Sequence, residues 1–312
     1  MMKYILITSA RNEQAFIALT LESVIAQTVL PERWVIIDDG STDRTAEIVE
    51  RYAKHFPWIT LIRRPKRKDR NFAAKADAVN AALEEVKSLP FEVVGNLDAD
   101  VSFSADYMEF LMQQFSKDTR LGVAGTPFTE EEDYDSTRDS FEGEHYVAGP
   151  CQLFRRECFR EIGGYVANPA GGVDWIAVMT ARMKGWNVKS FAEKRFHHHR
   201  SMGTAEKSEV AALFSYGQKD YYLGGSPVWQ LFRVAYRIAK RPFLTGGLAL
   251  LFGYCWAALR HEKRPVSREL MKFHRREQMK KLKIILRNFF TFRTVDSFRL
   301  ETGQSNVQTP SA

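Results

Sequence analysis

The chain has 312 residues, with 45 Lys+Arg against 38 Asp+Glu, 45% hydrophobic and 12% aromatic content. That composition excludes a disordered chain, and the length is enough for one large domain with an appendage and a substantial core. Three cysteines, Cys151, Cys158 and Cys255, form no CxxC pair, which excludes a zinc ribbon and a disulfide framework. The opening MMKYILITSAR holds an apolar run too short for a signal peptide, so a reduced, cytosolic compartment is expected.

In chain order, Tyr4–Ile7 is a short apolar run expected as a strand, and Glu13–Gln27 shows helical spacing through Phe16, Leu19, Ser23 and Val24. Trp34–Ile37 is a second buried-strand candidate, followed by the turn-like residues 39–43 (DGSTD). Thr42–Ala53 reads as a helix with Thr42 or Ser41 as its N-cap. Trp58–Ile62 and Val93–Leu97 read as further strands, separated by a helix near Ala73–Val86. A helix over Tyr107–Phe115 and a strand over Leu121–Gly125 follow. This βαβα alternation predicts a mostly parallel, helix-covered sheet that holds ligands at the carboxyl ends of its strands. Ser9–Glu13, Asp38–Asp43 and Asp98–Asp100 then share one rim.

The formal charge of +7 is unevenly placed. Residues 233–293 carry 16 Lys+Arg and 3 Glu, a net of +13, and the rest carries 29 Lys+Arg against 35 acids, a net of −6. The expected organisation is therefore a catalytic domain over 1–232, a basic helical segment over 233–300 and a polar, disordered tail over 301–312. The basic run at 63–70 (RRPKRKDR) reads as a solvated loop, with contact to donor phosphates or an anionic lipid acceptor as the alternatives.

The rim clusters carry the chemistry. Alternate residues of an extended chain point the same way, so Asp98 and Asp100 can converge on one ligand. Two carboxylates with open positions suit Mg²⁺ or Mn²⁺ bridging to substrate phosphates, and the competing reading is a surface pair capping the next helix. A carboxylate in Asp38–Asp43 can accept hydrogen bonds from a nucleobase or ribose, with Gly40 allowing close backbone approach. A turn plus N-cap is the competing reading there.

Together these residues resemble the inverting family 2 glycosyltransferases with the GT-A fold, of the bacterial and archaeal cell-surface glycan type. The resemblance rests on Asn12-Glu13, VIIDDGSTD at 35–43, AAKADAVNAAL at 73–83 and LDAD at 97–100. It continues through GPCQLFRRECFREIGGY at 149–165 and GGVDWIAVMTARMKGW at 171–186 to His199. It implies an α/β GT-A fold with a mostly parallel central sheet, joined here to a C-terminal helical, membrane-associated segment. It further implies that Glu13 and Asp39 hold the nucleoside of a nucleotide-sugar donor, with Lys75 at the family's basic position near that donor. Asp98 matches the carboxylate near ribose or sugar, Asp100 the metal ligand and Asp174 the general base. The residue before that base is Val173, where the family has Glu. The cofactor implied is a divalent metal, Mn²⁺ or Mg²⁺.

In the run His197-His198-His199 a strand would put His197 and His199 on one face and His198 on the other. Imidazole suits a third metal ligand beside Asp100, and His199 is the expected one. Exposed or packed histidines at a strand end are the competing reading.

Pro242–Leu259 is an uncharged stretch that, as a helix, reaches about 27 Å, just short of a hydrocarbon core of about 30 Å. Both of its flanks are basic, so a single span would conflict with the positive-inside tendency. A re-entrant or in-plane arrangement keeps both flanks on the cytoplasmic face of a membrane and is preferred over a span. Residues 266–290 read as a basic amphipathic helix with apolar rows Val266, Leu270, Phe273 and Leu282, Leu286, Phe289. It suits an anionic membrane surface, and packing against the catalytic domain is the alternative. No nucleic-acid recognition motif accompanies the charge.

The expected function is transfer of a sugar from a nucleotide-sugar donor to a hydroxyl of a glycan or lipid-linked acceptor. A polyprenyl-phosphate sugar synthase differs from this in acceptor alone. A non-catalytic membrane-binding protein of the same fold would not need Asp39, Asp98, Asp100 and Asp174 together. A sugar-nucleotide pyrophosphorylase or a dinucleotide-binding dehydrogenase would carry a glycine-rich loop after the first strand, where residues 9–13 read SARNE.

Overall fold

The first strand sets the layer order. In a computed structural model describing residues 2–65, 72–130, 136, 143–168, 171–200, 209–238 and 240–290, β1 (Tyr4–Ala10) is buried at every position except Ser9. A strand buried on both faces needs helices above and below it. β1 pairs in parallel with β2 (Arg33–Asp38) on one side and β4 (Val93–Leu97) on the other. β3 (Ile59–Arg63), β6 (Leu121–Gly125), β8 (Cys151–Arg155) and β9 (Asn187–Ser190) complete a seven-stranded sheet in the order β3-β2-β1-β4-β8-β6-β9. Only β8 runs antiparallel to its neighbours.

Alternate residues of the strands feed two cores. Tyr4, Leu6, Trp34 and Ile36 pack on one face with α1 (Ile17–Ile25), α2 (Thr45–His55) and α4 (Tyr107–Lys117). Ile5, Ile7, Val35 and Ile37 pack on the other with α3 (Phe72–Val86), α5 (Arg156–Glu161) and α6 (Val173–Met183). A small sheet, β5 (Val101–Phe103), β10 (Phe196–His198) and β7 (Phe128–Thr129), lies beyond the end of β4 with β10 at its centre. It carries the histidine run to the chain that leaves Asp100.

The expected strands and helices are found with their ends shifted: α1 covers only Ile17–Ile25 of Glu13–Gln27, and β3 runs over Ile59–Arg63 rather than Trp58–Ile62. α2 begins at Thr45, and neither Ser41 nor Thr42 caps it. Asp43 instead accepts from the Thr45 backbone N–H and hydroxyl, at 3.0 and 2.6 Å. Ser41 and Thr42 turn to the loop after β1.

Four helices follow: α7 (Glu209–Tyr222), α8 (Pro227–Ile238), α9 (Thr245–Leu259) and α10 (Arg268–Phe290). α7 and α9 cross at glycines. A Cβ on Gly217 would lie 2.1 Å from the Leu250 carbonyl oxygen, and one on Gly253 2.0 Å from that of Phe214. No larger residue permits that backbone approach. α8 packs on α9 as well, and it runs unbroken through 232 and 233, where the domain boundary is expected. The amphipathic helix expected over 266–290 is found as α10, and its first apolar row turns inward: Leu270 and Phe273, with Val266 just before the helix, join Trp175, Ile176 and Met179 of α6. That row is covered by protein, as in the packed alternative. The tail over 301–312 and most of the 63–70 run lie outside the described residues. Among the described residues, no helix is long and apolar enough to cross a membrane.

Candidate active site

The loops after β1 and β2 are stitched into one wall. Asn12, at φ 56°, presents Oδ1 to the Thr42 N–H at 2.8 Å, and its own N–H donates to Ser41 Oγ at 3.0 Å. The Glu13 N–H donates to Thr45 Oγ1 at 2.8 Å and the Gln14 N–H to Asp43 Oδ2 at 3.1 Å. These bonds hold Glu13 and Asp39 buried at the sheet's carboxyl edge, where the Asp39 N–H donates to the Ala10 carbonyl at 2.9 Å. Asp38 is buried beside them and accepts from the Ser41 N–H at 3.1 Å.

The second wall is built on the end of β4. Lys75 on α3 forms a short ion pair with Asp98 Oδ1. Burial works against its charge, but Asp98, with Asp174 and Asp100 behind it, holds the ammonium above its ordinary pKa. Asp98 is pushed upward by burial and by Asp100, only partly offset by Lys75 and His198. Asp100 goes the other way: burial raises it, but His198, Arg200 and Lys75 together hold its carboxyl below the usual range. Two neighbouring carboxylates driven apart in this way divide one pool of positive charge.

His198 and Arg200 supply much of that charge. His198 Nε2 lies 3.5 Å from Asp100 Oδ1, and its Nδ1 lies 2.9 Å from Glu130 Oε1. Burial disfavours the imidazolium, yet Asp100 and Glu130 outweigh it and raise the pKa. Arg200 Nε is 3.7 Å from Asp100 Oδ2, and its Nη2 is 2.5 Å from Glu13 Oε2. Arg200 thereby joins the two walls.

His199 is not at this position. Its backbone N–H donates to the Asp100 carbonyl at 2.8 Å, while its ring contacts Ser102 Oγ at 2.9 Å and stacks on Phe16. In the pairing of β10 with β5, His198 lies opposite Val101 and His197 opposite Ser102. Asp100 itself sits in the turn before β5, outside this ladder, and that turn brings its carboxylate to His198 and Arg200; the His199 ring, the expected ligand, lies with Ser102 and Phe16 instead.

Asp174 stands in the first turn of α6 and is half-buried. Tyr146 donates its hydroxyl to Asp174 Oδ2 at 3.0 Å, and Gly149 lies against the same carboxylate. A Cβ on Gly149 would come within 2.7 Å of Asp174 Oδ2, so only glycine leaves the carboxylate this room. Val173, where the family has Glu, is buried in the core beneath α6.

The structure thus pairs Lys75 with Asp98, places the charges of Asp100 and Asp174 where they favour the Lys75 ammonium, and ties Glu13 to Asp100 through Arg200. His198, Arg200, Glu130 and Tyr146 escaped the sequence reading. Only His198 left a trace there, as the residue set on the face opposite His197 and His199. Among the described residues, no group of three His, Cys, Asp or Glu side chains forms a ready metal-holding cluster. The donor set on this rim is Asp100 with His198, inside an excess of acids over Lys75 and Arg200. One carboxylate and one imidazole fit a divalent cation that would take its remaining ligands from outside the protein.

Residues 5–142 match the family model described as Glycosyl transferase family 2. The poly-β-1,6-N-acetyl-D-glucosamine synthase of Staphylococcus epidermidis is 32% identical over 117 residues, covering 37% of this chain and 26% of that protein. The synthase of the same name from Staphylococcus aureus (strain COL) is 31% identical over 117 residues, with the same coverage. The chain thus spans about a quarter of the length of the curated relatives it matches, 26%. Among solved structures, Staphylococcus aureus TarS 1–349 in complex with UDP-GlcNAc superposes with TM-score 0.58 at 15% identity, covering 96% of this chain and 91% of that one. The mannosyltransferase PcManGT from Pyrobaculum calidifontis, in complex with GDP-Man and Mn²⁺, gives TM-score 0.55 at 18% identity, covering 95% and 84%. GalNAc-T7 with UDP, GalNAc and Mn²⁺ gives 0.57 at 15% identity, covering 93% and 58%. With the carboxylate rim, the strand order and these matches in agreement, residues 5–142 are a family 2 glycosyltransferase domain, carried on a GT-A-like α/β fold.

Proposed function

We propose that the chain is an inverting glycosyltransferase that moves a sugar from a nucleoside-diphosphate sugar to a hydroxyl of a glycan or lipid-linked acceptor. The observation that carries this reading is the linked rim itself, where Lys75 pairs with Asp98 and its ammonium is favoured by the charges of Asp98, Asp174 and Asp100 together. Nucleotide sugars bound by the solved neighbours, and the polysaccharide named in the curated relatives, support the donor and acceptor classes.

Glu13 and Asp39, on the wall after β1 and β2, accept hydrogen bonds from the nucleoside. Lys75 and Asp98 meet the sugar and diphosphate. Asp174 takes the proton of the acceptor hydroxyl as that oxygen forms its bond to the anomeric carbon. The bond from that carbon to the diphosphate breaks, and its electron pair leaves with the nucleoside diphosphate. Tyr146 holds Asp174 Oδ2, so Oδ1 is assigned as the proton acceptor. One base without a covalent nucleophile inverts the configuration at carbon. Lys75 and Arg200 oppose the charge growing on the leaving group. A divalent cation held by Asp100 and His198 would supply Lewis-acid stabilisation of that diphosphate.

The test is a thermal-shift screen over UDP-, GDP- and dTDP-sugars with Mn²⁺ or Mg²⁺, followed by transfer assays. Asp174→Asn is expected to lower transfer by about 10²–10⁴-fold while the donor-induced shift persists. Undiminished transfer removes Asp174 from the mechanism. Failure of every nucleotide sugar to stabilise the protein removes the donor assignment.

A further inference from the structure

α9 contains no charged residue in its 15 positions. Its inner side, with Gly246, Leu250, Gly253 and Ala257, is buried, and Gly253 lies against α7. A helix that turns its other side to water normally presents polar residues there. This one presents Leu248, Phe252, Trp256 and Leu259, preceded by Phe243 and Leu244. Phe252 is 62% exposed and Leu259 76%. α8, packed beside it, exposes Val228, Leu231 and Tyr236. The apolar surface is therefore continuous in character across two adjoining helices, and no described residue covers it.

Cations mark both ends of α9. Lys240 sits over the Tyr236 ring at 4.6 Å and Arg260 over the Trp256 ring at 4.7 Å. Arg241 and Lys263 are exposed next to them. Residues 240–264 carry five Lys/Arg against one Glu. An apolar face with exposed aromatics and cations at its ends matches a lipid interface, where rings sit at headgroup level beside anionic phosphates. A second copy of the chain would bring like charges to such a contact.

We propose that the outer face of α8 and α9 docks on an anionic lipid bilayer, with α9 lying in the plane of the membrane. At 15 residues α9 is about 22 Å long, too short to cross a core of about 30 Å. Its glycine face is also committed to α7, so only the opposite side is available to lipid. Insertion is shallow, to a depth of about 5–10 Å. The inference concerns attachment and stands whether or not the catalytic reading is right.

Vesicle flotation of the full chain tests it, with phosphatidylcholine alone compared with phosphatidylcholine containing roughly one-third phosphatidylglycerol. Binding to the anionic vesicles that weakens with salt is expected. The double variant Phe252→Glu/Leu259→Glu, at two exposed positions, is expected to bind more than 10-fold less, by roughly the cost of exposing charge to apolar lipid. Arg260→Gln and Lys263→Gln should each weaken binding roughly 5-fold. Circular dichroism melts and donor hydrolysis report whether the variants remain folded. The proposal is overturned by absence of vesicle binding in the wild type, by equal binding to neutral vesicles, or by full binding of the folded double variant. A dimer that the double variant dissociates also overturns it, because a second copy would then be the occupant.

Discussion

The ion pair between Arg182 and Glu277 joins the helix of the proposed base to the C-terminal helices. Arg182 lies two turns beyond Asp174 on α6, and Glu277 lies on α10. Nη2 to Oε2 is 2.8 Å, with the two side chains only 11% and 13% exposed. Removing one partner of a buried pair costs about 3–5 kcal/mol, because the other charge stays buried without compensation. Glu277 is also bonded to the exposed Lys280, and some water reaches both groups, so Glu277→Ala is expected to cost about 3 kcal/mol. Urea unfolding followed by circular dichroism measures this as a lower midpoint at unchanged m. Acidity gives a second readout. Burial raises the Glu277 carboxyl, but the Lys280 hydrogen bond and the charges of Arg182, Lys280 and Lys281 outweigh it and leave the pKa lowered. A carboxyl held low in the folded state contributes stability above its ordinary pKa of about 4.3 and loses it as pH falls through the folded value. Wild type and Glu277→Ala should therefore differ most near neutrality and converge in acid. A difference under about 1 kcal/mol at pH 7, or one that does not shrink in acid, would refute the reasoning.

Two further substitutions test the rim. His198→Ala is expected to weaken Mn²⁺ binding in calorimetry by about 10-fold or more, and His199→Ala to leave it nearly unchanged. Equal losses would mean that the contact of His198 with Asp100 does not choose the ligand. Gly149→Ala places a methyl 2.7 Å from Asp174 Oδ2, so the carboxylate must turn and strain its bond to Tyr146. Transfer should fall by about 10²-fold at unchanged donor affinity, which steady-state kinetics would resolve as a loss in kcat. A loss confined to KM would place Gly149 in substrate binding instead.

Much of the architecture is local and therefore visible in the residues. Apolar runs such as Tyr4–Ile7 and Val93–Leu97 are strands because both of their faces must be covered, and the helices between them follow from spacing. With strands and helices alternating, the polar clusters at 9–13, 38–43 and 98–100 fall on one rim by the rule for parallel sheets. The same local reading could not rank His197, His198 and His199. Alternation separates odd from even positions, but the set that meets Asp100 is decided by the turn that carries its carboxylate ahead of β5. The same applies to Lys75 and Asp98, which lie 23 positions apart and meet because α3 packs over β1, next to β4 in the sheet. It applies again to 266–290, whose 3.6-residue period shows an apolar row without naming its partner. α6 supplied Trp175, Ile176 and Met179, so that row became core, and the apolar surface left open lies on α8 and α9. Periodicity in sequence determines which residues share a face. What each face meets depends on contacts between residues distant in the chain, and these exist only once the layers have packed.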